Sequence, residues 1–146
     1  MSERDSRYDV DLGQLLRDRH EHLRTELVAT PWHSYETLAE VRGTSLDATR
    51  YAVHKAAQQH QLLLVPVEET VVVPAFQLDA DGAVRTELLP VLELLLGAGM
   101  DTWRAWAWLT QPAALTLGRA PEEALTDPEM TDLVRHAAVR LAEHVR

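Results

Sequence analysis

Apolar and polar positions alternate at helical spacing over much of the chain. From Asp11 to Ala29, Leu12, Leu15, Leu16, Leu23 and Leu27 form an apolar stripe opposite a charged face, so a helix is predicted there. Asp11 is its predicted N-cap, Gln14 completes a capping-box pattern, and Pro31 ends it. A second helix is predicted from the Ser34 cap, with Leu38, Ala39 and Val41 apolar and Gly43 just past its end. Ser45 caps a third, in which Leu46, Thr49, Val53, Ala56 and Ala57 share the inner face. Two short helices joined by a glycine-containing turn outline a helix-turn-helix. The small Ala39 lets the two helices approach closely.

The period then changes. Leu62 to Leu78 is rich in β-branched residues and broken by the polar tip Glu68-Glu69-Thr70, which predicts a β-hairpin. Pro66 and Pro74 suit edge positions or strand ends. A hairpin directly after a helix-turn-helix reads as a wing. Helical spacing resumes at Thr86, a predicted cap, with Leu89, Leu92 and Leu96 inward and Pro90 in the first turn. Asp101 caps the helix that carries Trp103, Trp106, Trp108 and Leu109. Pro112 and Pro121 fit the first positions of short helices, Gly118 a helix end, and Asp127-Pro128 another start. Leu133, Val134, Ala137, Ala138, Leu141 and Val145 line a last helix. The fold class is therefore mainly α: a helix-turn-helix-like N-terminal part with a β-hairpin, followed by a compact bundle of short helices. Three regions are expected: a helical extension over 1–33, the helix-turn-helix and hairpin over 34–85, and a helical domain over 86–146.

Such short helices do not persist alone. Packing must hold them, and the tryptophans are the natural pins, because a large aromatic buries about 150–250 Å². One helix face cannot take Trp103, Trp106 and Trp108 together. Trp108 and Leu109 are expected in the core; Trp103 or Trp106 then fills a second contact with the hairpin or the Thr86 helix, or Trp106 lies at an interface with a partner.

Composition narrows the chemistry. With no cysteine, disulfides, thiolate catalysis and cysteine-ligated zinc are excluded. The seven histidines lack the i, i+4 spacing of a helical zinc pair: His20 and His22 are two apart, His136 and His144 eight apart. No nucleophile elbow, phosphate loop or dinucleotide fingerprint occurs. Neither an enzyme nor a cofactor or metal site is expected. No apolar run is long enough for a bilayer and the N-terminus lacks a signal-peptide core, so a cytoplasmic protein without membrane contact is expected.

Net charge is −9, unevenly spread: residues 1–33 carry −2, 34–61 carry 0, 62–85 carry −3 and 86–146 carry −4. An acidic body repels phosphate. Any contact with DNA must come through the neutral stretch, where the third helix would expose Arg50, Tyr51, His54, Lys55 and Gln58. These types reach base edges and phosphates. A helical pair that merely packs or dimerises reads equally well, and a dimer would double the few cationic contacts.

Trp108-Leu109, Pro112, Leu117-Gly118-Arg119, Pro121 and Leu125 resemble the signature of the toxin-binding domain in antitoxins of the Xre/MbcA/ParS family. The segment PAFQLDADGAVRTELLPVLELL resembles the lead into that domain, and the order of the regions is similar. Many members carry Asn where this chain has Ala113. The resemblance implies an antitoxin that binds and sterically blocks a RES-type, NAD-degrading toxin. It also implies control of its own promoter through the helix-turn-helix, in a homodimer or larger complex. Candidate toxin contacts are Trp106, Arg119, Glu122, Glu123 and Arg135, although Glu122 and Glu123 also suit the positive end of a helix dipole and Arg119 equally a solvated charge. The alternative is a stand-alone helix-turn-helix transcriptional regulator.

Overall fold

In the computed structural model the described backbone runs from Ser2 to Val145 and the described side chains from Leu12 to Val145. The chain divides into two units, Met1–Thr30 and Pro31–Arg146.

The first unit is one helix, α1 (Ser2–Val28). It begins nine residues before the predicted start; the predicted Asp11 cap lies outside the described side chains. Gln14 instead donates to Asp18 at 3.0 Å and accepts from Arg17 at 3.0 Å, side-chain bonds along the helix surface. Leu12, Leu15 and Leu16 are exposed.

The second unit opens with β1 (Trp32–His33), too short for any periodic signal. Then come α2 (Tyr35–Arg42) and α3 (Leu46–Gln58). Ser34 Oγ accepts from the Thr37 amide at 3.1 Å, and Thr37 Oγ1 accepts from the Ser34 amide at 3.0 Å, a reciprocal capping box. Gly43 adopts φ +68°, and the Thr44 amide donates back to Ala39 at 3.1 Å, closing α2 in the left-handed fashion that glycine favours. Ser45 Oγ accepts from the Ala48 amide at 3.1 Å and starts α3. Leu38 and Val53, one from each helix, meet Leu62 and Val73 in a buried cluster, with Tyr35, Ala56, Leu64, Leu78 and Val84 around it.

The hairpin forms from β2 (Val65–Val67) and β3 (Thr70–Pro74), antiparallel, with Val65 opposite Val72. β1 adds to the other side of β3, with His33 opposite Val73, giving the order β1-β3-β2. The segment before α2 is thereby tied to the wing. Pro66 lies in the edge strand and Pro74 ends the central one, the positions where a missing donor costs least. Gln77 is wholly buried and bridges backbone: its Oε1 accepts from the Leu63 amide at 2.8 Å, and its Nε2 donates to the Leu63 carbonyl at 2.9 Å.

Helices α4 (Leu89–Gly97), α5 (Thr102–Thr110), α6 (Pro121–Ala124) and α7 (Thr131–Glu143) complete the unit. Thr86 does not cap α4; it begins a 3₁₀ turn over Thr86–Leu88 that runs into it. The buried face of α4 is Leu88, Val91, Leu92 and Leu95, rotated from the expected Leu89, Leu92 and Leu96. Apolar residues cover most sides of this helix, so its period leaves the inward face open. Asp101 accepts from the Arg104 amide at 3.1 Å and Asp127 from the Glu129 amide at 3.0 Å, as expected of caps. Pro121 opens α6, whereas Pro112 lies before a 3₁₀ turn over Ala114–Thr116. The fold is mainly α with a small antiparallel sheet, and among the described residues no helix is long and apolar enough to cross a membrane.

Candidate nucleic-acid interface

α3 is the second helix of the helix-turn-helix. Thr49 and Val53 hold its inner face in the fold, and Thr49 Oγ1 lies 2.7 Å from Thr44 Oγ1 in the turn. The outer face follows from that anchoring. Residues 50, 54 and 58 form one row along the helix and residues 51 and 55 the next. Arg50, Tyr51, His54, Lys55 and Gln58 are all exposed, with Asp47 and Ala48 exposed at the helix start. Tyr51, His54, Lys55, Gln58 and Gln59 line a shallow depression. All five side chains singled out from sequence thus sit together on one surface. Arg50 and Lys55 are its cations, and Asp47 is an opposing charge near the positive end of the helix.

Tyr35 was not visible in the sequence as a part of this surface. It is the first residue of α2, yet its Oη lies 2.8 Å from His54 Nε2, and the Arg50 guanidinium carbon lies 5.2 Å from its ring centroid. Burial raises the pKa of the Tyr35 hydroxyl, against a smaller lowering by the Arg50 charge, so it stays protonated and able to donate. The 19-residue separation of Tyr35 and His54 puts this contact outside any local pattern.

The hairpin flanks the helix pair in sequence, and its tip bears exposed Glu68 and Glu69, with Glu68 in the left-handed region at φ +56°. The Asp79–Gly82 turn that follows the hairpin is fastened to α2 by Arg42, whose Nε donates to the Gly82 carbonyl at 2.8 Å. Burial lowers the Arg42 pKa, and Asp79 partly restores it.

The residues expected to meet a toxin do not form one outward patch. Trp106 is 0% exposed, enclosed by its own fold and stacked on Trp103 with ring centroids 5.6 Å apart. A side chain with no accessible surface offers a partner nothing, so the interface role expected of Trp106 is corrected to that of a core pin. Trp108, expected inside, is only half-buried. The 100° step fixes the angle between two tryptophans but not which of them faces the core. Glu122 turns inward too, accepting from Arg85 Nη1 at 2.8 Å, and only 17% of its side chain is exposed. Arg119 is half-exposed, 3.7 Å from Asp127 and donating to the Glu123 carbonyl at 3.1 Å. Glu123 and Arg135 are exposed.

The segment between α5 and α6 does present an apolar surface, at other residues. Leu115 is 52% and Leu117 82% exposed, and Leu117 adopts φ +58°. The loop is closed on itself: the Gly118 amide donates to Ala113 at 2.9 Å, the Ala113 amide to Arg119 at 3.2 Å, and buried Thr116 Oγ1 reaches both carbonyls.

No protein-family model and no curated protein matches this chain. Among solved structures it is similar to one titled "NMR structure of Rv2175c", with 21% sequence identity over 78% of this chain and 82% of that one, at a TM-score of 0.62. The likeness is one of fold.

Proposed function

We propose that the chain is a DNA-binding protein that lays α3 in the major groove and acts by binding, without catalysis. The observation that carries this is the outer face of α3: Arg50, Tyr51, His54, Lys55 and Gln58 are exposed together on the second helix of a capped helix-turn-helix. A 13-residue helix is about 20 Å long, and the major groove of about 12 Å admits it. Lys55 supplies a point charge for phosphate, Arg50 a planar fork suited to phosphate or guanine, and Gln58 a bidentate group suited to adenine. Two cations on an acidic protein give weak attraction, so the working form is a homodimer that doubles the contacts, in the cytoplasm with the chromosome.

The test is binding of labelled duplex DNA to the full chain across a salt series. The wild type should bind with an affinity that falls as salt rises. Arg50→Ala combined with Lys55→Ala should weaken binding and flatten the slope of log affinity against log salt by about 2–4 for the dimer. Failure of the wild type to bind at about 50 mM salt, or a double variant with an unchanged slope, overturns the reading.

A second reading, an antitoxin that blocks a RES-type toxin, is favoured by Leu115 and Leu117. A leucine held in solvent in a left-handed conformation is costly, and such strain concentrates at functional positions. In this reading the contact surface is the 111–119 loop, which includes Arg119, with exposed Glu123 and Arg135 as further candidates. Co-expression with a RES-type toxin encoded beside this chain tests it. Rescue of growth that Leu117→Asp abolishes supports the reading, and absence of any complex overturns it.

A further inference from the structure

We propose that Tyr35 is a positioning residue that sets Arg50 and His54 in their DNA-contacting conformations before DNA arrives. The inference rests on the DNA-binding reading and adds a residue to its site. Tyr35 follows the Ser34 cap, and its ring packs against the buried cluster of Leu38, Val53, Leu62 and Val73. It is therefore anchored from below. From above, its hydroxyl meets His54 Nε2 at 2.8 Å, and its ring carries the Arg50 guanidinium at 5.2 Å. The Tyr35 and His54 rings lie 5.7 Å apart and are tilted by 41°.

Arg50 and His54 are one helical turn apart on the exposed face, where long side chains ordinarily sample many rotamers. Binding would then have to freeze them. A cation–π contact with a fixed aromatic ring restrains the guanidinium group while leaving N–H donors for a partner. Whichever group carries the proton shared between Tyr35 Oη and His54 Nε2, the imidazole ring is held and its Nδ1 edge is left for another partner. One side chain on α2 thus orders two on α3, and both belong to the outward surface.

The experiment measures DNA affinity of the full chain by fluorescence anisotropy at fixed low salt. Tyr35→Leu removes both contacts, whereas Tyr35→Phe keeps the ring beneath Arg50 and loses the hydroxyl bond to His54. Tyr35→Leu should weaken binding about three- to tenfold and Tyr35→Phe about twofold. The decisive arm repeats each in the background of Arg50→Ala with His54→Ala. A residue that acts through those two has almost nothing left to lose there, so the Tyr35→Leu loss should shrink to under about twofold. A residue that merely stabilises the helix pair would cost the same in both backgrounds, and that result overturns the inference. So does a folded Tyr35→Leu protein that binds as wild type. Should Tyr35→Leu fail to fold by circular dichroism, Tyr35→Phe decides: its loss must vanish in His54→Ala, and no loss at all overturns the inference. A wild type that binds no DNA brings down the function itself, and that is seen before any variant is made.

Discussion

Arg85 binds two regions of the second unit with one guanidinium. Its Nε donates to Glu87 at 2.7 Å, its Nη1 to Glu122 at 2.8 Å, and its Nη2 to the Glu122 carbonyl at 2.8 Å, with 14% of the side chain exposed. Burial is the largest single influence on its pKa and lowers it, but the two carboxylates together outweigh it and hold the charge more firmly than in water. The same hydrogen bond holds the Glu87 carboxyl below its ordinary value, against a smaller upward push from burial. A carboxyl whose folded pKa is depressed adds stability above its unfolded value, near 4.5, and that stability is lost as pH falls through the folded value. Urea midpoints of the wild type and Glu87→Gln should therefore differ most near about pH 7 and converge toward about pH 3, with the wild type ahead. Parallel curves would show that the pair does not contribute. The caps at Ser34, Ser45, Asp101 and Asp127 were legible because a side chain bonds backbone two or three residues away. The Arg85–Glu122 pair, 37 residues apart, was not, because nothing local encodes it.

At the scale of elements, the helix-turn-helix and hairpin were legible because each has its own period and punctuation. β1 was not: two residues carry no alternation, and its pairing with β3 is decided by the fold. The rotated face of α4 has the same origin, since apolar residues on nearly every side leave tertiary packing to choose. The outer face of α3 was read correctly because it is the complement of a well-marked inner one. In the proposed DNA-binding mode the hairpin tip works against that helix. Its tip carries Glu68 and Glu69, both exposed, and a carboxylate beside the phosphate backbone opposes binding. Glu69→Lys should therefore tighten DNA binding several-fold and steepen the salt slope by about 1–2. An unchanged affinity would mean that the hairpin tip stands farther from the duplex than the screening length, about 10 Å at 0.1 M salt.

The whole molecule separates a long single helix from a unit with its own core. Residues 31–146 hold all three strands, the helix-turn-helix, the Gln77 bridge, the Arg85 network and the packed Trp106. Within this unit the Ala75 amide donates to the Pro31 carbonyl at 3.0 Å, fastening the start of β1 to the turn after β3. Among the described side chains of α1 only Leu27 is buried, while Leu12, Leu15 and Leu16 are exposed, so the helix adds little cooperative structure of its own. A fragment of residues 31–146 should therefore unfold in one cooperative urea transition, with a midpoint close to that of the full chain and a slope reduced only by the surface of the missing helix. Should the fragment lose its cooperative transition, α1 would be a structural member of the second unit.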